Sequence, residues 1–182
     1  NEPRRKRIIA GGTDMLVGLK QGIYDPDVLV DITGLSEFRG ITIANEPATA
    51  GSMLVIGAAT SLSEIARNPD VHEHFPSLVH CIEQIATPQI RNVATIAGDL
   101  CQEKRCWFFR SALPCYKLGG PTCPCFAVTG DSRHHSILGA KRCAAPCPSD
   151  LAPMLSALSG YARVTGKRGP WTVAINDLYL WS

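Results

Sequence analysis

"IIAGGTDMLVGLK", residues 8–20, runs an apolar strand into two adjacent glycines and then into a helix whose first turn carries Thr13 and Asp14. Strand, glycine turn and helix start together aim unpaired amide groups at one spot, which suits a phosphate. A tight turn without a ligand is written with the same letters. The glycine spacing of the dinucleotide fingerprint and the Gly-Lys-Ser/Thr of a P-loop are both missing, so neither of those sites is implied. Beyond this unit, "DVLVDI", "GITIA" and "MLVIGA" read as further short strands separated by turns, up to residue 57.

From 60 to 100 the pattern turns helical. Ser61 and Glu64 are spaced as a capping box opening "SLSEIARN", and "PSLVHCIEQIA" follows from Pro76 until Thr87 and Pro88 end it. A second glycine turn, "NVATIAGDL" at 92–100, has Thr95, Ala97 and Gly98 small enough for close backbone approach to a ligand, and Thr95 adds a hydroxyl. Two such turns can clamp a pyrophosphate from opposite sides. Asp14 and Asp99 would repel phosphate, so their better use is accepting hydrogen bonds from ribose or ribityl hydroxyls or from backbone amides. Capping an ordinary loop is the other use open to them. Near the end, "SDLAPMLSALSG" restores a helix, capped by Ser149 or Asp150 and stopped by Gly160, and "YARVTG" and "WTVAI" read as two strands.

With 182 residues, 45% of them hydrophobic and 19% charged, the chain can bury the core of one domain or two small subdomains, which excludes a disordered protein. A net charge of +2 leaves no strongly single-signed surface. The one basic run, Arg4 to Arg7, reads as a solvated end, so nucleic acid is not an expected partner. No apolar run reaches the roughly 18 residues of a membrane helix, and no signal peptide opens the sequence. The expectation is a soluble chain, and both its ends read as those of a piece of something longer.

Seven of the eight cysteines fall between residues 98 and 147, in a segment without sustained periodicity. A secreted disulfide framework would spread them evenly, and structural zinc is usually announced by paired C-x₂₋₄-C knuckles, whereas the tightest pair here, Cys123 and Cys125, has a single residue between. Cys81 lies in an apolar helix and reads as core. Four thiolates drawn from Cys106, Cys115, Cys123 or Cys125, and Cys143 match an iron–sulfur cluster, whose ligands can be widely spaced on a wrapping loop. Arg105, Arg110, Lys117, Lys141 and Arg142 are at hand to offset its negative charge. His134 and His135 read as solvated or supporting side chains, and Trp107, Phe108 and Phe109 as packing that keeps the cluster dry.

"AGGTDML", "TPQIRNVATIAGDL" and "PSDLAP", in this order, resemble the FAD-binding subunit of the molybdenum hydroxylase (xanthine dehydrogenase) family. The cysteine-rich insertion is similar to that of the branch carrying a [4Fe–4S] cluster, the aldehyde oxidoreductases and more distantly 4-hydroxybenzoyl-CoA reductase. The resemblance implies an α+β, two-subdomain FAD-binding fold of the PCMH/CO-dehydrogenase flavoprotein type. Its N-terminal subdomain would be 1–57 and its second 58–182, with the insertion at about 101–147 and the family's C-terminal subdomain absent. Ile8, Ile9, Ala10, Gly11, Gly12, Thr13, Asp14 and Met15 would wrap the FAD pyrophosphate. Thr95, Ile96, Ala97, Gly98 and Asp99 would close over it, Ile85 would lie near the flavin, and Asp150 would hydrogen-bond the cofactor. "TIAGD" stands where "TIGGN" is commoner, so Ala97 adds a methyl at this approach.

For the cluster the resemblance implies Cys106, Cys115, Cys125 and Cys143, with Cys123 as the alternative to Cys125, and leaves Cys101 and Cys147 as free thiols. No catalytic acid or base is implied. The chain would be the electron-transfer flavoprotein subunit of a heterotrimer, relaying electrons from a molybdenum-cofactor subunit and a [2Fe–2S] subunit to an external acceptor. Cluster assembly places folding in the cytoplasm, with folded co-export to the periplasm beside a signal-bearing partner as the alternative. A rival function is a metal-stabilised docking module that binds no flavin.

Overall fold

The computed structural model describes residues 4–46, 51–138 and 142–179; Lys141 lies outside them. Strand β1 (Lys6–Ile9) passes through helix α1 (Met15–Lys20) to strand β2 (Val28–Asp31), and the two strands pair in parallel with Lys6 opposite Val28 and Ile9 opposite Asp31. Parallel pairing needs such a crossover. Gly18 inside α1 has a packing reason: the Tyr24 ring lies where its Cβ would stand. After a 3₁₀ turn at Ser36–Phe38, strands β3 (Ile41–Glu46) and β4 (Gly51–Ile56) form an antiparallel hairpin.

Five helices follow: α2 (Leu62–Arg67), α3 (Pro69–His74), α4 (Pro76–Gln84), α5 (Pro88–Arg91) and α6 (Ile96–Leu100). The capping box opening α2 is present in both directions, with Glu64 N–H donating to Ser61 Oγ at 3.2 Å and Ser61 N–H donating to Glu64 Oε2 at 2.8 Å. Helices α3, α5 and α6 were not expected. Each is short and is made by its cap, since Asn68, Thr87 and Thr95 each accept from the amide three residues on. Thus the second glycine segment is a capped helix rather than an open turn.

The insertion holds three four-residue helices, α7 (Trp107–Arg110), α8 (Tyr116–Gly119) and α9 (Phe126–Thr129). Helix α10 (Leu151–Ala157), the antiparallel strands β5 (Tyr161–Gly166) and β6 (Gly169–Ala174), and α11 (Ile175–Leu178) complete the fold. Asp150 precedes α10, but its side chain makes no cap bond, and Ser149 Oγ instead accepts from Ala152 N–H at 3.0 Å. The expected stop at Gly160 is shifted by one residue. Ser159 takes the left-handed conformation at φ 55°, while Gly160 N–H reaches back to the Leu155 carbonyl at 2.7 Å and Ser159 N–H to that of Ser156 at 3.0 Å. This is a Schellman ending with serine at the strained position.

Two hydrophobic cores result. In the larger, Leu62, Ile65, Val71, Leu78, Ile82 and Leu151 are fully buried, and Ile41, Leu54 and Ile56 of the β3–β4 hairpin pack against them. Each such side chain contributes about 1.5–3 kcal/mol by leaving water. The smaller core joins Tyr24 to Phe109 and Cys115, with Met15, Leu19 and Phe126 around them. Hence the insertion is packed on α1, the helix that follows the first glycine turn.

Candidate functional site

The first turn is built from backbone. Gly12 has φ 74°, a left-handed conformation natural to glycine, and its carbonyl accepts the Leu16 amide at 2.9 Å to start α1. The amides of Gly12 and Thr13 have no acceptor among the described residues. Ile8, at the end of β1, is 65% exposed. A Cβ on Gly11 would overlap the Val93 carbonyl oxygen, so the first glycine turn lies directly against the segment leading into the second. The two motifs, some eighty positions apart, therefore meet in space.

Their amides are not equally available. Ile96 N–H donates to the Thr60 carbonyl at 3.1 Å, Ala97 N–H to that of Ala58 at 3.2 Å, and Gly98 N–H to Thr95 Oγ1 at 3.1 Å. Thr95 Oγ1 is thus an acceptor within the fold, and its own O–H remains a donor. Among the described residues the Gly12 and Thr13 amides are therefore open donors, whereas those of Ile96, Ala97 and Gly98 are taken up within the fold. Ile85 is buried in the larger core, and its carbonyl accepts from Arg91 Nη1 at 2.7 Å. Asp150 is exposed at the head of α10.

The two carboxylates find protein donors. Asp99, 7% exposed, accepts from Ser149 Oγ at 2.5 Å, from Leu151 N–H at 3.1 Å and from Gln102 Nε2 at 3.1 Å. Burial pushes its carboxyl up, against the pull of the Ser149 and Leu151 hydrogen bonds. Asp14 accepts from Glu103 N–H at 2.8 Å and from Arg110 Nη2 at 2.9 Å, with Arg105 Nη1 at 3.5 Å. Tyr24, beside this cluster, has its phenol pushed up to about 12 by burial first and by the Glu103 and Asp14 carboxylates second.

Close by, Cys106, Cys115, Cys125 and Cys143 line one small, open-mouthed cavity. Cys106, Cys115 and Cys125 each stand immediately before one of the helices α7, α8 and α9. Phe108, Phe109 and Phe126 wall the cavity, and Lys104 and Lys117 reach its lining. Cys123 packs instead behind Gly119, where an added Cβ would meet its sulfur. All eight cysteines are free thiols. Among the described residues no three His, Cys, Asp or Glu donors converge closely enough to share one metal ion. His135 Nε2 lies 3.2 Å from Cys106 Sγ, and its buried Nδ1 has no partner among the described residues. His134 stands edge-on to Trp107 at 5.9 Å. Arg142 sits 5.8 Å over the Tyr116 ring.

Three side chains at this site had no signal in the sequence. Lys104, Glu103 and Tyr24 acquire their places from contacts across the fold, and only the helix-interior Gly18 hinted at an aromatic neighbour. Donor chemistry fits both groups the resemblance implies: open amides and a close glycine approach for a pyrophosphate, and four thiols around a phenylalanine-walled, lysine-flanked space for an iron–sulfur cluster.

The family described as "FAD binding domain in molybdopterin dehydrogenase" matches residues 2–181. The aldehyde oxidoreductase FAD-binding subunit PaoB of Escherichia coli is 31% identical over 176 residues, which is 95% of this chain and 53% of that one. The putative xanthine dehydrogenase FAD-binding subunit XdhB of the same organism is 42% identical over 95 residues, 52% of this chain and 31% of that one. In fold, the chain is similar to one from the carbon monoxide dehydrogenase of Hydrogenophaga pseudoflava, with TM-score 0.63 and 24% identity over 94% of this chain and 43% of that chain. The chain thus spans about half, or less, of the relatives it matches.

Proposed function

The chain belongs to the family of FAD-binding domains of molybdopterin dehydrogenases, and on that premise we propose that it is the cofactor-holding part of an electron-transfer flavoprotein subunit in a molybdenum hydroxylase. The observation that carries this reading is the contact of Gly11 with Val93, which closes the two glycine segments on each other. Gly12 and Thr13 would donate amide hydrogens to the FAD pyrophosphate, and Thr95 its hydroxyl hydrogen. Ile8 to Met15 and Thr95 to Asp99 would frame the cofactor, with Ile85 and Asp150 on the flavin side. Asp14 and Asp99, already bonded to protein donors, hold those segments in place.

Cys106, Cys115, Cys125 and Cys143 would hold a [4Fe–4S] cluster, supported by their shared cavity and by the placement of Cys123 outside it. When bound, FAD supplies two-electron chemistry and exchange with one-electron partners, and the cluster supplies one-electron transfer. The protein's part is to position them, to exclude water with Phe108, Phe109 and Phe126, and to balance charge with Lys104 and Lys117. A molybdenum-cofactor subunit and a [2Fe–2S] subunit would deliver electrons, an external acceptor would remove them, and cluster assembly would take place in the cytoplasm. Among the described residues no helix is long and apolar enough to cross a membrane.

The test is anaerobic purification of the full-length protein that contains this chain, with iron, sulfide, zinc and flavin measured per chain. About four irons and four sulfides with FAD are expected. Zinc without flavin would replace this reading with a metal-stabilised docking module.

A further inference from the structure

We propose that Asp14 and Arg110 form a strut through which occupancy of the thiol cavity sets the affinity of the glycine turn for flavin. The proposal rests on the reading above. Asp14 stands at the start of α1, two residues after Gly12. Its carboxylate takes both of its hydrogen bonds from the insertion: Glu103 N–H donates at 2.8 Å and Arg110 Nη2 at 2.9 Å. The Asp14 and Arg110 side chains are 18% and 11% exposed, so this pair is shielded from solvent in a way that surface pairs are not.

Arg110 in turn fixes the backbone that leads into the first cluster ligand. Its Nε donates to the Lys104 carbonyl at 2.9 Å and its Nη2 also to the Glu103 carbonyl at 3.1 Å. Arg110 is the last residue of α7, the helix that begins just after Cys106, so one guanidinium spans from the Cys106 segment to the flavin turn. Lys117 of α8, next to Cys115, adds a second tie through Glu103 at 3.2 Å. Beneath the strut, Phe109 and Cys115 share a core with Tyr24 and Met15.

Four-residue helices do not hold themselves together. Their order depends on the core they share with α1 and on whatever draws the four thiols to one centre. When the cavity is empty of iron, the 103–110 segment gains freedom, and the Asp14 carboxylate loses the fixed donors that hold the Gly12–Thr13 amides in line. Flavin binding must then supply that ordering itself, which weakens it. Because coupling between two sites is reciprocal, bound flavin equally favours the ordered, iron-loaded cavity.

The experiment uses the full-length protein in its purified complex. FAD is removed, and its Kd for re-binding is measured by flavin fluorescence on iron-loaded protein and on protein stripped of iron by a chelator. About a tenfold weaker Kd is expected after stripping, within the usual range of such couplings. In Arg110→Gln the iron-loaded protein should already show the weaker Kd, and stripping should change it little. Equal Kd values for loaded and stripped wild type would overturn the strut while leaving both cofactor assignments standing. Protein that takes up flavin but never iron would overturn the strut together with the cluster assignment. The wild-type comparison decides the matter even where Arg110→Gln fails to fold.

Discussion

Replacing Asp99 by alanine and by asparagine separates what its carboxylate does from what its charge costs. In the native structure Asp99 Oδ1 accepts both the Ser149 hydroxyl and the Leu151 amide. Leu151 is 0% exposed, and its amide, in the first turn of α10, has no acceptor within the helix. Alanine strands these two buried donors at about 1–3 kcal/mol each, which gives a loss of about 3 kcal/mol. For a chain of this size that lowers Tm by roughly 6–12 °C. Asparagine keeps an oxygen at the Oδ1 position and removes a buried charge, so its stability should lie within about 1 kcal/mol of wild type.

The pH dependence carries the sign. Burial raises the Asp99 carboxyl in the native state, so the folded protein binds that proton more tightly than the unfolded chain does. Stability from this group is complete at low pH and falls as pH rises from the ordinary value near 4 through the raised native value. Asp99→Asn lacks this fall. Thermal melts of the three proteins across mildly acidic to neutral pH, followed by circular dichroism, measure both effects. An alanine variant as stable as wild type, or an asparagine variant as damaged as alanine, would refute the account.

Gly11→Ala forces a methyl into the Val93 carbonyl, a backbone atom that cannot rotate away; a loss of about 1–3 kcal/mol and of bound FAD is expected, read by melting and flavin content. Cys125→Ser should remove most of the iron bound by the protein, while Cys123→Ser should leave iron content at the wild-type level, because Cys125 lines the cavity and Cys123 lies behind Gly119. Ser159→Gly should stabilise by about 0.5–1 kcal/mol in denaturant titration, since relief of the left-handed serine at φ 55°, about 1–2 kcal/mol, exceeds the about 0.5–1 kcal/mol that glycine's extra freedom when unfolded costs.

Local patterns in the sequence foretell the elements that local forces make. The β1–α1–β2 unit, the capping box at Ser61 and Glu64, helix α4 and the β5–β6 hairpin all lie where alternation, caps and turn residues placed them. Helices α3, α5 and α6 are four to six residues long, too short for any apolar period to register, and exist because Asn68, Thr87 and Thr95 cap them. Gly160 misled by one position because a Schellman ending uses the residue before it for the left-handed turn. Asp14 and Asp99 were legible as carboxylates needing donors, but apart from Gln102 the donors are 50 to 96 positions away in sequence, and no local rule selects them.

In the insertion, composition suggests a chemistry where periodicity predicts no shape. Its segments have no strand or helix pattern because no continuous sheet or helical face organises them. Order comes from a few distant fixings: Phe109 and Cys115 against Tyr24, Arg110 against Asp14, Lys117 against Glu103. The first two ties reach Tyr24 and Asp14 on either side of α1, the third lies within the insertion, and Cys125 and Cys143 complete the lining of the cavity. A chain so lightly cross-linked by protein contacts gains most from a group that gathers its thiols. On the proposed reading, that same physical demand would concentrate cysteine there, and the richness in thiols and the poverty in periodic structure would have one cause.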